Sequence, residues 1–154
     1  MSGRYSFALP SDLGQFTLRG NLYHLIRYTT SAAGDFSDAQ ETAGTFDRPQ
    51  WRSQLAGRYE KGGLYTQVTW NWSDRTRIFS SGQPATVEVS NDIVYSRRSV
   101  FDFVLGADVT DKTTLQFVVN NLTDKNYAGD LALFNGNYID QIGRRFQISA
   151  LTRF

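Results

Sequence analysis

The sequence predicts an all-β fold, an antiparallel meander of about seven long strands. Aromatic residues make up 14% of the 154 residues and there are 13 glycines. Aromatic side chains favour strands. Apolar and polar residues alternate along several segments, which is the period of a strand with two unlike faces. The connections between these segments are alternately short and long, as in a series of hairpins.

Seven segments carry this alternation. In chain order they are 3–9, 15–29, 48–60, 64–80, 95–108, 114–120 and 141–154. The third and fourth segments have the most regular pattern and predict a hairpin around the turn sequence EKGG. The second segment is less regular, because His24 falls among the apolar positions. A bulge near Tyr23 is one way to resolve this, and the sequence leaves the register of 15–29 open.

The connections indicate which ends of the strands lie together. PSDLG, EKGG and VTDKT are short, whereas 30–47, 80–93 and 123–137 are long and rich in Ser, Gly, Asn and Asp. In an antiparallel meander, this order places every tight turn at one end of the sheet and every long loop at the other. Outer-membrane β-barrels have the same asymmetry.

Alternation alone does not decide whether the apolar face points into a soluble barrel or out to lipid. Aromatic residues on the apolar parity lie near segment ends, where amphipathic rings prefer the membrane interface. They are Trp51, Tyr59, Trp70, Trp72, Tyr95 and Phe154. The segments 48–60 and 64–80 are also longer than the roughly 9 to 11 residues of a spanning strand. We therefore expect the apolar face to contact lipid.

A sheet in lipid must pair all of its backbone groups, so it must close on itself. Single-chain bacterial barrels have an even number of strands, at least about 8. Seven strands do not meet this condition. We therefore expect residues 1–154 to form one partial barrel domain, the C-terminal part of a larger transmembrane β-barrel, without a plug domain.

Composition excludes several other classes of function. The chain has no cysteine and one histidine, so neither a thiolate metal site nor a multi-histidine site is expected. The 16 basic and 15 acidic residues leave a net charge of +1, which gives no electrostatic basis for binding nucleic acid. The lone His24 has no nucleophile and acid at a recognisable spacing. We expect no cofactor, no metal and no enzymatic activity.

The C-terminal sequence resembles a known family. LQFVVNNLTDKNY, residues 115–127, and IGRRFQISALTRF, residues 142–154, are similar to the last two strands of TonB-dependent outer-membrane receptors. The resemblance is carried by Asn121, Leu122, Tyr127, Gly143, Arg144 and Phe154. Thr152 departs from the larger residue that the family usually has two positions before the terminal Phe. The motifs cover about 25 residues, and the rest of the chain matches only in rhythm.

This resemblance implies a role in the outer membrane of a Gram-negative bacterium. The family forms a 22-stranded barrel around an N-terminal plug and imports ferric siderophores, cobalamin or oligosaccharides. The implied partners are outer-membrane lipid, the rest of the barrel, the plug, the barrel-assembly machinery and, through a TonB box outside this chain, the TonB complex. The family also implies that the last strand, with Phe146, Ile148 and Phe154, is the assembly signal. We do not expect the chain to transport alone.

The polar positions of the strands would line the lumen of such a barrel. As candidates for contact with an anionic substrate or the plug, we single out Arg52, Gln54, Arg58, Asn71 and Arg145. Arginine offers paired donors to carboxylates and phosphates. The alternative is a solvated barrel wall in which these side chains pair with one another.

Two other architectures remain open. A complete barrel of about eight strands, with a structural or adhesive role, would need an eighth strand within 30–47 or 80–93. A soluble lipocalin-like binding barrel would turn the apolar face inward and would stay in solution without detergent. The lipid-facing sheet is instead expected to aggregate in water.

Overall fold

The computed structural model describes residues 1–31, 34, 39–45, 48–77, 94–126 and 143–153. The strands in these ranges are β1 (Ser2–Ala8), β2 (Gln15–His24), β3 (Thr29–Thr30), β4 (Gln40–Glu41), β5 (Trp51–Lys61), β6 (Leu64–Ser73), β7 (Thr76–Arg77), β8 (Val94–Tyr95), β9 (Arg98–Thr110), β10 (Thr113–Asn120) and β11 (Arg145–Thr152). A single 3-10 turn, Pro10–Asp12, lies between β1 and β2. None of the described residues forms a helix long and apolar enough to cross a bilayer.

Seven of the strands form one antiparallel sheet in the order β1-β2-β5-β6-β9-β10-β11, so neighbours in the sheet follow one another along the chain. The remaining strands form two small ladders, β3 with β4 and β7 with β8. The prediction of an all-β, seven-stranded antiparallel meander is confirmed. The sheet is open, and β1 and β11 are its edges.

The connections within this sheet alternate in length, as predicted. Short turns span 9–14, 62–63 and 111–112, and the long connections are 25–50, 74–97 and 121–144. The two-residue turn at 62–63 depends on Gly62 and Gly63, which have φ of 54° and 78°. Two successive residues with positive φ suit a two-residue hairpin, and glycine adopts this conformation without steric cost.

Two predicted strands are shorter than the sequence pattern suggested. The expected strands 48–60 and 64–80 are Trp51–Lys61 and Leu64–Ser73, with 11 and 10 residues. At the start of β5, Pro49 has no amide proton to donate to the ladder. At the end of β6, the Asp74 carboxylate accepts from the Arg75 amide at 2.8 Å, and this local bond competes with strand pairing. Residues 78–80 lie outside the described residues.

The second strand needs no bulge. β2 pairs with both β1 and β5 without a shift in register, and it ends at His24. The imidazole of His24 keeps the apolar parity and stacks on Trp51, with ring centroids 3.8 Å apart and an interplanar angle of 6°. The irregularity found in this sheet lies instead between β9 and β10, at Thr113 and Thr114.

One face of the sheet is apolar across all seven strands. Residues paired directly opposite one another share a face, so the registers define this apolar face by Phe7, Leu18, Leu55, Val68, Leu105, Leu115 and Ile148, with the other residues of the same parity. Leu18, Leu55, Val68, Leu105 and Leu115 are 38 to 43% exposed. Val119 of β10 is buried at 4% exposure, and among the described residues no other Ala, Val, Ile, Leu, Met, Phe, Trp or Tyr is buried. Nothing in the described part of the chain covers this face.

Candidate functional site

The opposite face of the sheet is polar and carries the predicted lumen residues. We call it the polar face and define it by the alternate parity, which includes Arg4, Arg19, Arg52, Gln54, Arg58, Tyr65, Asn71, Asp102, Gln116 and Arg145. Two hydrogen-bonded clusters form on it.

The first cluster crosses three strands near the long-loop end. Gln54 Nε2 donates to Asn71 Oδ1 at 2.8 Å, and Asn71 Nδ2 donates to Asp102 Oδ2 at 2.8 Å. The other oxygen of Asp102 accepts from the backbone amide of Asn121 at 2.9 Å. Asn121 follows β10 and has φ of 55°, a conformation that Asn tolerates better than most residues. One carboxylate oxygen of Asp102 therefore links β9 to β6, and the other holds the end of β10 against β9.

The second cluster lies toward the short-turn end and is centred on Tyr65. The guanidinium of Arg58 lies over the Tyr65 ring, 3.9 Å from its centroid, and donates to Glu60 Oε1 at 2.7 Å. Gln116 Nε2 donates to Tyr65 Oη at 3.0 Å, so the ring of a β6 residue reaches a side chain on β10. Ser149 Oγ on β11 in turn donates to Gln116 Oε1 at 3.5 Å.

The Tyr65 side chain on β6 reaches β10 because β9, the strand between β6 and β10, has a glycine opposite Tyr65. Gly106 on β9 is paired directly opposite both Tyr65 and Gln116. A Cβ on Gly106 would overlap the Tyr65 ring. The absence of a side chain at Gly106 therefore creates the space in which the Tyr65 ring lies.

The structure brings together some of the predicted polar residues and separates others. Gln54 and Asn71 are in direct contact, and Arg58 belongs to the second cluster. Arg52 lies at the long-loop end of β5, opposite Ser73. Arg145 is on β11, four strand spacings from β5, which is about 19 Å. The five predicted residues share one face and are distributed over β5, β6 and β11.

The predicted interface aromatics lie near both ends of the sheet. Trp51, Trp70 and Trp72 are near the long-loop end, and Trp70 Nε1 donates to Ser99 Oγ at 2.8 Å. Tyr59 is near the short turns, and its hydroxyl donates to the carbonyl of Leu13 at 2.7 Å. The backbone of Tyr95 belongs to the β7–β8 ladder and not to the seven-stranded sheet. Its side chain lies outside what the structure describes.

The predicted assembly signal is described in part. Phe146 and Ile148 lie on the apolar face of the edge strand β11 and are 65% and 78% exposed. The Phe146 ring stacks near Phe117 of β10, with centroids 6.2 Å apart. Phe154 lies outside the described residues.

Sequence reasoning missed an arginine pair on the polar face. Arg4 and Arg19 are paired directly opposite each other on β1 and β2. Within the described ranges, neither guanidinium forms a close ion pair with a carboxylate, and both have a longer-range Coulombic attraction to Glu60. Like charges in directly opposed positions are destabilising. This pairing could have been found from the sequence, because Arg4 lies as many residues before the 9–14 turn as Arg19 lies after it.

Among the described residues, no group of three His, Cys, Asp or Glu side chains is placed to hold a metal ion. Comparison of the chain with protein-family models, with curated proteins and with solved structures found no match.

Proposed function

We propose that this chain is a membrane-embedded segment of an outer-membrane β-barrel, with its apolar face toward lipid and its polar face toward a water-filled lumen. The observation that carries the proposal is the apolar face itself, which is continuous over seven antiparallel strands and is covered by no other described element. Exposed apolar surfaces of this extent mark contact with a membrane or with another protein.

The dimensions of the sheet support the same proposal. The central strands β5 and β6 have 11 and 10 residues, close to the roughly 9 to 11 that a tilted spanning strand needs. Aromatic side chains lie near both ends of the apolar face, where transmembrane barrels carry their girdles. Short turns at one end and long loops at the other also follow the pattern of outer-membrane barrels.

Within this class, the resemblance of the C-terminal residues favours a TonB-dependent receptor for a siderophore, cobalamin or an oligosaccharide. In that role the chain would be part of the barrel wall and would not transport by itself. Its partners would be outer-membrane lipid, the remainder of the barrel with its plug, the barrel-assembly machinery and, through another region, the TonB complex. The polar face would meet the plug or the passing substrate.

The soluble alternative requires the apolar face to be enclosed. Trp70 and Phe103 are only half-buried and Ile148 is 78% exposed, so in the described residues they do not converge on a dry interior. The small complete barrel requires an eighth strand in the sheet. In the connection 25–50 the described strands β3 and β4 pair only with each other. Residues 80–93 lie outside the described residues.

Tryptophan fluorescence tests the orientation directly. The chain has three tryptophans, and Trp51, Trp70 and Trp72 all belong to the apolar face. The purified chain is refolded into phosphatidylcholine vesicles whose acyl chains carry bromine, a short-range quencher. We expect strong quenching by the brominated lipid and little quenching by aqueous iodide.

A matched variant shows whether quenching reports the apolar face. Trp70→Phe combined with Gln67→Trp moves one reporter to the polar face of the same strand, and this reporter is expected to gain iodide quenching. The proposal fails if the chain stays in the supernatant as a soluble monomer, or if bromine leaves the emission of the parent chain unchanged.

A further inference from the structure

Positive charge is in excess on the polar face of the first strands. Arg4 of β1 is paired directly opposite Arg19 of β2, and on β5 Arg58 lies two residues closer to the short turns. Glu60 is the only carboxylate on the described polar face of β1, β2 and β5. It accepts from Arg58 Nη2 at 2.7 Å and attracts Arg4 and Arg19 only from a longer range. The pair on β1 and β2 therefore keeps most of its positive charge uncompensated.

The next carboxylate in the register of this pair is too far away to neutralise it. Asp102 of β9 is in line with Arg4 and Arg19, but three strand spacings separate it from Arg19, which is about 14 Å. Both of its oxygens already accept hydrogen bonds. Like charges in directly opposed positions destabilise a sheet, and a bound anion that contacts both would remove this cost.

The space beside the pair is open. Arg19 is paired with Ala56 on β5, and Ala56 is paired with Thr69 on β6. These two short side chains leave room for a small ligand over the sheet next to Arg19. Arg4 and Arg19 are both exposed, so a solute reaches their guanidinium groups.

Two hydroxyl groups lie next to the pair. Ser6 and Thr17 are directly opposed two residues further along the same strands, and Ser6 Oγ lies 2.9 Å from Thr17 Oγ1. Whichever oxygen accepts this hydrogen bond still has its own proton to donate. One hydroxyl donor and two guanidinium groups thus occupy one small area of the polar face.

Resting on the proposed orientation, which turns the polar face toward the lumen, we infer that Arg4 and Arg19 bind the doubly charged phosphate group of a solute. Directly opposed Cβ atoms are about 4.5 to 5.5 Å apart, which brings both guanidinium groups within reach of one compact anion. Their two charges match those of the phosphate, and charge-assisted hydrogen bonds to its oxygens are strong. The hydroxyl pair of Ser6 and Thr17 supplies a further donor.

The depth of the pair favours a solute over a lipid headgroup as the source of the phosphate. Arg19 is paired with Ala56, the middle residue of β5. Since a strand rises about 3.3 Å per residue, the pair lies about 16 Å along the strand from either end of β5. In the proposed orientation, headgroups lie beyond the strand ends and on the other side of the sheet.

Chemical modification tests the site one arginine at a time. The chain is refolded in micelles of a nonionic detergent, which contain no phosphate, and is treated with phenylglyoxal, a reagent for accessible guanidinium groups. Mass spectrometry of proteolytic peptides measures the modification rate of each arginine. A ligand at about ten times its dissociation constant slows the modification of the groups it covers about tenfold. We expect this protection of Arg4 and Arg19 from inorganic phosphate, relative to chloride at the same ionic strength and pH.

Arg97 is the internal control. It is 69% exposed and lies 3.3 Å from Asp74, which already supplies its negative charge. Its modification rate should be the same in phosphate and in chloride. Equal protection of Arg97, Arg4 and Arg19 would mean that phosphate acts on the reagent or on all arginines, and it would overturn the inference.

Two more anions define the ligand. Glycerol 3-phosphate presents the same group on a larger solute, so protection by both phosphates supports a site for phosphate monoesters. Protection by inorganic phosphate alone supports a site for the free ion. Acetate has one charge and should protect much less at the same concentration. Equal protection by acetate, or no protection by either phosphate, overturns the inference.

Arg4→Gln tests whether the two arginines act together. Removal of one like charge relieves repulsion, so this variant is expected to fold. The phosphate concentration that half-protects Arg19 should rise about tenfold, because one charge-assisted contact is lost. The matched control is Arg75→Gln, which removes an exposed arginine outside the seven-stranded sheet and should leave half-protection of Arg19 unchanged. Unchanged half-protection in Arg4→Gln would mean that Arg19 binds alone and would overturn the two-arginine site.

The two proposals fail separately, because the modification experiment needs no bilayer. Protection of Arg4 and Arg19 together with absent bromine quenching would remove the membrane proposal and leave a phosphate site on the polar face. Strong bromine quenching without protection would retain the membrane proposal and remove the phosphate site.

Discussion

The ring of Tyr65 on β6 lies across Gly106 on β9 and occupies the space where a β-carbon at Gly106 would be. From this position, Tyr65 Oη accepts a hydrogen bond from Gln116 on β10, and the guanidinium of Arg58 packs over the Tyr65 ring. One aromatic side chain thus links β5, β6, β9 and β10 on the polar face. In a sheet with almost no buried apolar side chains among its described residues, such links are a main source of order beyond the ladder itself.

Gly106→Ala is expected to destabilise the sheet. The new methyl group would overlap the Tyr65 ring, and moving the ring would break its bond to Gln116. Overpacking of this kind costs about 1 to 3 kcal/mol. The free energy of unfolding is measured by urea titration in detergent micelles.

The control is Gly20→Ala on β2, where the new Cβ would lie 3.6 Å from Leu55 Cδ1, an ordinary contact. It is expected to change stability little. If both variants lose the same free energy of unfolding, the cost comes from replacing any strand glycine and not from overlap with the Tyr65 ring.

Tyr65→Phe separates the hydroxyl from the ring. The variant keeps the surface over Gly106 and the contact with Arg58, but it leaves Gln116 Nε2 without its acceptor. The expected loss is about 1 kcal/mol, the net contribution of one hydrogen bond. Urea titration of Tyr65→Phe beside Tyr65→Ala checks this. If both variants lose the same amount, the ring contributes nothing.

These contacts also show where sequence analysis reaches its limit. The two faces were predictable because the two-residue period is a local property of the chain. Contact between Tyr65 and Gln116 depends on the register of three strands, two of them joined by the connection 74–97. No local pattern sets that register. The hydrogen bond from Gln54 to Asn71 is different, because the tight turn at Gly62 and Gly63 fixes which residues of the hairpin are opposed.

Strand ends were predicted less well than strand faces. The strand expected over 64–80 ends at Ser73, and the carboxylate of the next residue, Asp74, accepts from both Arg75 and Arg97. His24 is a polar residue on the apolar parity of β2. Its flat contact with Trp51 resolves the conflict without a bulge. In both places the structure has side-chain contacts that the two-residue period does not reveal.

Reversing one charge should relieve the arginine pair. Arg4→Glu would place a carboxylate opposite Arg19, and opposite charges in this position contribute roughly 0.2 to 1 kcal/mol. We expect a higher free energy of unfolding by urea. Arg4→Gln, which removes the repulsion without adding an attraction, should give a smaller gain. A double variant in which Arg4 and Arg19 are both Glu should lose the gain, and a gain that persists there would exclude the cross-strand explanation.

The membrane orientation predicts opposite effects of one substitution on two neighbouring valines. Val68 on β6 is on the apolar face, whereas Val104 on β9 is on the polar face. The two valines lie at the same depth, because the residue paired with each one is the sequence neighbour of the other. In a bilayer, Val68→Arg should cost about 2 to 4 kcal/mol, as arginine does on the lipid face near the midplane. Val104→Arg should cost much less, because its side chain enters the lumen.

Urea unfolding from vesicles compares the two variants. The comparison is internally matched, since both exchange valine for arginine in the middle of a strand. Tolerance of Val68→Arg together with a large loss for Val104→Arg would mean that the polar face is the buried one and would exclude the proposed orientation.

Order in the long connection 25–50 should depend on pH through Glu41. Its Oε1 accepts from the backbone amides of Tyr28 and Ala43 at 2.8 and 2.9 Å, and its Oε2 lies 3.3 Å from Arg27 Nε. The two amide hydrogen bonds, with the Arg27 charge, lower the pKa of Glu41 below its ordinary value of 4.5. A lowered pKa means that ionisation stabilises the folded connection. This contribution is fully present above pH 4.5 and is lost as the pH falls through the folded-state pKa.

Hydrogen exchange measures this effect. The peptide that covers residues 25–45 is followed by mass spectrometry from pH 6 to pH 3, with rates corrected for intrinsic exchange. We expect protection of this peptide to fall toward pH 3, and we call this fall the acid step. We expect Glu41→Gln to be less protected at pH 6 and to lack the acid step. Asp74→Asn, in the other described long-loop region, is the control and should retain it. An unchanged step in Glu41→Gln would assign the pH dependence to another carboxylate, because the glutamine cannot titrate.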